Sequence, residues 1–279
     1  MQKITKLSIQ KILKKTDPQT HKGKQGHALL IGGSYGKIGS ITLSSKAALH
    51  TGCGLVTAFI PECGYEIVQT AIPEVMVLTD KEKKNLSDIA FEIIPQAIGI
   101  GPGIGQEQSV QNALHHFLQT VKTPLVVDAD ALNILSEHKE WLSLLPKNTI
   151  LTPHPKELER LIGHFETPEE TLQKTIEFSL QHEIIIVMKG APTKIIDGEN
   201  GYQNTTGNAA LATAGTGDVL TGIITGLLAQ AYDPIQAAIL GVYLHGLTAD
   251  IALPKTGTHA FIASYIIKNL GKAYLSLEK

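Results

Sequence analysis

The chain has 279 residues, 43% of them apolar and 18% charged, with a formal net charge of −2. That composition supplies a sizeable core, excludes a disordered polyelectrolyte, and leaves no Lys/Arg run long enough to hold a nucleic-acid backbone. The two cysteines, Cys53 and Cys63, form no CxxC pair and have no histidine cluster beside them, which argues against a disulfide framework or a zinc site. The N-terminal stretch is amphipathic but too polar for a secretory signal. No window approaches the roughly 18 unbroken apolar residues of a membrane span. The expected setting is cytoplasmic, with no nucleic-acid and no membrane partner.

In chain order, short apolar runs alternate with helical patterns. A strand is predicted at His27–Ile31, then a helix at Ser40–His50, a strand at Leu55–Ile60 and another at Ala97–Ile100. A helix over Gln108–Leu118, a strand at Leu125–Val127, a helix over Ala131–Leu135 and a strand at Thr149–Leu151 follow. Next come a helix over Pro168–Gln181 and a strand at Ile184–Met188. Strands of four to six apolar residues separated by helices predict a mostly parallel sheet covered on both faces, with right-handed crossovers. The last third begins with a hairpin, Thr193–Ile196 and Gly201–Asn204, turning through Asp197–Asn200. It ends in helices over Gly217–Ala231, Pro234–Ile251 and His259–Leu270. The first two are apolar nearly all round and carry small residues, so they are expected to be buried and closely packed. No linker or repeat interrupts the chain, and one domain over 1–279 is expected.

In an open parallel sheet, ligands bind beyond the carboxyl ends of the strands. Gly32-Gly33-Ser34-Tyr35-Gly36-Lys37-Ile38-Gly39-Ser40 fails as a P-loop, because Ile31 stands where the opening glycine belongs and Ile38 where the Mg²⁺-binding hydroxyl belongs. Gly99-Ile100-Gly101-Pro102-Gly103-Ile104-Gly105 fails as a dinucleotide motif at Ile104, yet its glycines let backbone pass close to a ligand. Asp128 and Asp130 put two carboxylates at a strand end: one to hold a metal or a substrate hydroxyl, the other to cap a helix. His154 lies between Pro153 and Pro155 and reads equally well as structural or functional. Lys189-Gly190-Ala191-Pro192-Thr193 ends another strand.

The segment Gly215-Thr216-Gly217-Asp218 carries most weight. Its glycines let successive N–H groups converge, and a helix N-terminus adds partial positive charge, a suitable cradle for a phosphoryl group. Asp218 is placed to accept a proton from an attacking hydroxyl; the competing role is a helix N-cap.

These residues resemble the anion-hole and catalytic-base motif of the ribokinase-like superfamily. The finer pattern resembles the ADP-dependent NAD(P)H-hydrate dehydratase family within it. Gly101-Pro102-Gly103, Asp128-Ala129-Asp130-Ala131-Leu132-Asn133, Thr152-Pro153-His154-Pro155-Lys156-Glu157, Lys189-Gly190-Ala191, Gly207-Asn208 and Gly215 to Gly222 fall in family order. The resemblance implies a three-layer α/β/α sandwich with a mostly parallel central sheet. It also implies an activity: the S epimer of NAD(P)HX is phosphorylated by ADP on its ring hydroxyl, and loss of phosphate then gives NAD(P)H, with AMP and phosphate released. Carried over by position, Asp218 would be the base, and Gly215, Thr216 and Gly217 would stabilise the moving phosphoryl. Lys189, Gly190, Ala191, Pro192, Thr193 and Gly217 would hold the nucleotide. Ser40, Gly103, His154 and Asp218 would contact the hydrate. Mg²⁺ would ride on the phosphates, with no protein metal ligand assigned. A homotetramer is implied, and a separate epimerase partner, since the epimerase domain sometimes fused N-terminal to this one is missing. The chain departs from the family pattern at Gly36-Lys37-Ile38-Gly39-Ser40 and at Asn208-Ala209-Ala210, both near the expected substrate pocket. Two alternatives stay open: a kinase of a small hydroxylated vitamin precursor on the same fold, and a nucleotide-sensing subunit without turnover.

Overall fold

The computed structural model describes residues 1–15 and 17–278. Ten strands form one sheet: β1 (Gln2–Lys3), β2 (His27–Ile31), β3 (Leu55–Ile60), β4 (Met76–Thr79), β5 (Ala97–Ile100), β6 (Leu125–Val127), β7 (Ile150–Leu151), β8 (Ile185–Met188), β9 (Lys194–Asp197) and β10 (Asn200–Gln203). Their order is β1-β10-β9-β8-β7-β6-β5-β2-β3-β4. All pairs from β4 across to β8 are parallel, while β8–β9 and the β9–β10 hairpin are antiparallel.

Residues alternate faces along a strand, so a sheet covered on both sides needs apolar side chains at every position. That is what the central strands contain. Ala28, Leu30, Val56, Ala58, Ala97, Val126 and Ile150 point into one core, while Leu29, Ile31, Phe59, Ile98, Ile100, Val127 and Leu151 point into the other. The first core is closed by α1 (Lys6–Ile12), α2 (Ile38–His50), α3 (Tyr65–Ala71), α8 (Thr216–Ala229), α9 (Pro234–Thr256) and α10 (Ser264–Glu278). The second is closed by α4 (Gln108–Thr120), α5 (Ala129–Glu137), α6 (Pro155–Ile162) and, through Phe178, α7 (Pro168–His182). The result is a three-layer α/β/α sandwich.

Helix α8 sits directly on the sheet. A Cβ on Gly222 would run into the carbonyl of Ser44, and one on Gly226 would meet Thr51 Oγ1 and the Ala48 carbonyl, so these glycines set how closely α8 lies against α2. The Ser44 hydroxyl fastens the pair, donating to the carbonyls of Ser40 (3.0 Å) and Asp218 (2.9 Å). Helix α9 is long and apolar enough to cross a bilayer by length and composition, but 67% of its apolar window is buried inside the fold.

Several boundaries differ from expectation. The apolar pattern of α9 weakens at Ile251, yet the helix continues through Pro254 to Thr256 and closes at Gly257 (φ 60°). The last helix begins at Ser264 rather than His259, because residues 257–260 form the turn out of α9. Strands β1 and β4 and helices α1, α3 and α6 carry short or half-exposed patterns that periodicity alone did not single out.

Candidate functional site

The carboxyl ends of the parallel strands share one edge, and their first loop residues continue the hydrogen-bond ladder. The amides of Gly101, Asp128 and Thr152 donate to the carbonyls of Ile31 (3.1 Å), Ile100 (3.0 Å) and Val127 (3.1 Å), and Lys189 N–H donates to Pro153 (2.9 Å). The loops after β2, β5, β6, β7 and β8 therefore form one shelf. Close backbone approach is what the glycines permit: a Cβ on Gly101 would collide with the Asp128 carbonyl.

Helix α8 points its N-terminus at this shelf. Gly215 is its N-cap in the left-handed region (φ 84°), no side chain caps it, and its carbonyl accepts from Val219 N–H (3.1 Å). The amides of Thr216, Gly217 and Asp218 have no hydrogen-bond partner among the described residues. The capping role considered for Asp218 is thereby removed, because Asp218 is the third helical residue and caps nothing. Unpaired amides at a helix start are an anion site in waiting.

Asp218 is half-buried beside this terminus. Burial, and then the nearby charge of Asp128, push its carboxyl up to about 6, against a hydrogen bond from Ser40 and the charge of Lys189 that pull it down. Lys189 is the opposing charge. Its Nζ lies 2.8 Å from Asp128 Oδ1 and 3.8 Å from Glu157 Oε2, with 21% of its side chain exposed against 1% for Asp128. Burial would lower the ammonium pKa, but Asp128, Glu157 and Asp218 outweigh it and hold Lys189 charged. Asp128 Oδ2 accepts from Thr221 Oγ1 (2.6 Å), which also donates to the Gly217 carbonyl (3.2 Å). A Cβ on Gly217 would sit 3.4 Å from Lys189 Nζ and 3.7 Å from Asp128 Oδ2. The free amides, the lysine and the desolvated carboxylate thus surround one spot.

The other expected residues fall into place unevenly. Ser40 lies on the same helix as Ser44, whose hydroxyl bonds the Asp218 carbonyl, and Gly103 (φ 64°) packs against α2, where a Cβ would stand 3.1 Å from Ser40 Cβ. Thr216 turns its hydroxyl away from the crevice, donating to the carbonyls of Leu211 (2.9 Å) and Thr213 (3.0 Å), so only its amide faces a ligand. Of Lys189 to Thr193, Lys189 turns into the carboxylate cluster. Gly190, Ala191 and Pro192 are exposed, and Thr193 Oγ1 closes its own turn on the Gly190 carbonyl (3.0 Å). His154 is the N-cap of α6. Its Nδ1 accepts from Lys156 N–H (3.1 Å) and Glu157 N–H (3.3 Å), while Glu157 takes the His154 amide (2.7 Å). Burial, followed by Lys189, keeps this imidazole below its ordinary range and so neutral, as an acceptor must be. Half of its side chain still faces solvent, leaving Nε2 toward the crevice and Glu157 Oε1 (3.4 Å).

The two carboxylates after β6 divide their work, but not as metal ligand and cap. Asp128 occupies the N-cap position of α5 without capping it. Asp130 holds the glycine turn, accepting from Gly105 N–H (3.0 Å), Gln106 Nε2 (3.1 Å) and Lys37 Nζ (3.3 Å).

Residues 28–272 match the sequence family described as NAD(P)H-hydrate dehydratase. The chain belongs to that family. It is 37% identical over 277 residues to the bifunctional NAD(P)H-hydrate repair enzyme of Moorella thermoacetica, a match covering 92% of this chain and 52% of that one. The chain spans about half the length of the bifunctional relatives it matches. The ADP-dependent (S)-NAD(P)H-hydrate dehydratase of Bacillus subtilis is 35% identical, with 98% of each chain covered. A crystal structure of the ADP/ATP-dependent NAD(P)H-hydrate dehydratase from Bacillus subtilis, co-crystallised with ATP and Mg²⁺, superposes with a TM-score of 0.85 at 33% identity, covering 99% of this chain and 98% of that one. A ribokinase-like superfamily protein from Enterococcus faecalis gives 0.87 at 28% identity, over 99% and 96%.

The donor set also bears on metal binding. Among the described residues no group of three His, Cys, Asp or Glu side chains is placed to hold a metal ion. Both oxygens of Asp128 are taken, by Lys189 and Thr221. Reading the chain alone missed Glu157 and Thr221 as site residues, although both lie inside quoted motifs. It also missed His245 of α9, whose Nε2 lies 2.9 Å from the Thr216 carbonyl and whose one signal is an imidazole in the long apolar stretch from Ala237 to Ala249.

Proposed function

We propose that this chain dehydrates the S epimer of NAD(P)HX, using ADP as phosphoryl donor and releasing AMP and phosphate. The observation that carries the reading is the Asp218 carboxylate, desolvated to about 6, beside the uncapped amides of α8 and facing Lys189. Hydroxide is a poor leaving group and phosphate a good one. Asp218 takes the proton of the ring hydroxyl as its oxygen attacks the transferring phosphoryl of ADP. The amides of Thr216, Gly217 and Asp218, with Lys189, carry the charge spread over that phosphoryl in flight. Loss of the phosphate from C6, together with a proton from the adjacent ring carbon, then restores the double bond of NAD(P)H. Mg²⁺ supplies charge neutralisation on the phosphates when bound.

Under the same reading Gly190, Ala191, Pro192 and Thr193 line the nucleotide, and Ser40, Gly103 and His154 line the hydrate. A cytoplasmic setting, a homotetramer and an epimerase partner belong to this proposal, the last two carried by the family resemblance. The test is incubation with NADHX, ADP and Mg²⁺, following absorbance of the reduced nicotinamide. A rise supports the reading. A stable phosphorylated alcohol from another substrate, with no NADH formed, makes the chain a kinase instead. Asp218→Asn lowers turnover by at least ~10²-fold while nucleotide affinity is kept; equal loss of both makes Asp218 a structural residue.

A further inference from the structure

Behind the free amides of α8 stands a side chain that this chemistry leaves idle. His245, on α9, brings Nε2 to 2.9 Å from the carbonyl oxygen of Thr216. A carbonyl oxygen only accepts, so Nε2 carries the proton. Burial drives this imidazole down to about 4, so at neutral pH it is an uncharged donor of fixed tautomer. The carbonyl of Thr216 and the N–H of Gly217 belong to one planar trans peptide and point in opposite directions. Fixing the first therefore aims the second. The contact comes from α9, and Gly217 itself borders the spot framed by Lys189 and Asp128, whose Nζ and Oδ2 lie 3.4 Å and 3.7 Å from where its Cβ would stand.

The surroundings need such a fixture. Gly215, left-handed at φ 84°, gives the entry to α8 the backbone freedom to bend, and the same freedom lets the first turn of the helix reorient. No side chain caps the helix. The loop that feeds it is tied to α9 as well: Asp250 accepts from Gly207 N–H (2.9 Å) and Asn208 Nδ2 (2.8 Å). Helix α9 thus holds both the segment before the turn and the first peptide of α8.

We infer that His245 is a positioning residue for phosphoryl transfer, orienting the Gly217 amide through its hydrogen bond to the Thr216 carbonyl. The inference rests on the reading of Gly215–Gly217 as the cradle of the transferring phosphoryl, and an anion hole works only if its donors are aimed in advance.

The test compares the full chain with His245→Phe, which keeps the ring and loses the donor, and with His245→Gln, whose amide replaces it. Each is titrated with ADP, and with AMP plus Mg²⁺ and aluminium fluoride, a mimic of the phosphoryl in flight; NADHX turnover and Tm are measured beside them. The expected result is that His245→Phe binds ADP as the wild type does but loses about 10-fold or more of its affinity for the fluoride complex. Its kcat falls on the same scale with KM for ADP unchanged, and His245→Gln stays close to the wild type. If the Phe variant does not fold, His245→Asn, whose amide falls short of the carbonyl, takes its place with the same expectation. Wild-type affinity for the fluoride complex in the Phe or Asn variant overturns the inference. So does loss of ADP binding, fluoride binding and Tm together in the Gln variant. Should the wild type make no NADH while the fluoride complex still depends on His245, the dehydratase reading fails and the positioning role stands.

Discussion

At the scale of single residues, Asp218 is where function opposes stability. Its carboxyl has an ordinary value of 3.8 and titrates at about 6 in the fold. The folded chain therefore binds this proton more tightly than the unfolded one, and that stabilisation is complete below pH 3.8 and lost as pH rises through about 6. Asp218→Asn imitates the protonated form. Thermal unfolding of the variant should match the wild type near pH 3.8 and exceed it above pH ~6 by roughly 1–2 kcal/mol, once solvent screening of a half-buried group is allowed for. Catalysis has the opposite dependence. A base must be ionised, so wild-type kcat/KM should be level above pH ~6 and fall about tenfold per unit below it. A flat profile down to pH ~4 would take the base role from Asp218. The two glycines of the turn make a second contrast. Gly215 is left-handed and a Cβ there would stand 2.6 Å from Leu43 Cδ1, whereas at Gly217 the Cβ meets Lys189 Nζ at an ordinary 3.4 Å. Gly215→Ala should lose Tm. Gly217→Ala should keep or raise Tm yet lose at least ~10-fold in kcat/KM, because its methyl occupies the phosphoryl position.

At the scale of elements, the decisive contact is α8 against α2. Gly222 touches the Ser44 backbone, and the Ser44 hydroxyl bonds the Asp218 carbonyl, so helix spacing and the position of the base are coupled. Gly222→Ala forces the helices apart and should cost roughly 1–3 kcal/mol in denaturant unfolding, with turnover falling alongside. Unchanged turnover in a destabilised variant would separate the spacing from the site. The strands behind this contact were legible because the central parallel strands are unbroken apolar runs: β2, β3, β5 and β6 have the expected bounds, and β7 and β8 each lose one residue. Strand β4 was not legible, since it lies at the sheet edge with its ends exposed and its sequence lacks that signature.

At the scale of the whole molecule, the site is a seam joining loops from five strands to the N-terminus of a sixth element, α8. A ligand that bridges them stabilises the fold by mass action. ADP at 100 times its Kd should add about 2.7 kcal/mol, read as a Tm rise of roughly 5 °C for a chain of this size. Asp218→Asn should show the same shift, because the carboxylate acts on the acceptor hydroxyl rather than on the nucleotide. No shift with the wild type would remove the nucleotide site.

The sequence by itself determined the layered architecture and the glycine turn before Asp218. Both are local signals: apolar runs of strand length, and small residues where a helix begins. It also supplied the family resemblance, because the motifs occur in order along the chain. What each polar residue does was decided by tertiary contact. Asp128 and Asp130 are two positions apart and chemically identical, yet one grips Lys189 and the other a glycine turn. His154 caps a helix, Thr216 faces inward, and His245 reaches the anion turn from a helix that begins after it. A hydrogen bond depends on where its partner lies in space, and the partners of Asp128, Asp130 and His245 are 25 to 61 residues away, a separation that no local pattern encodes.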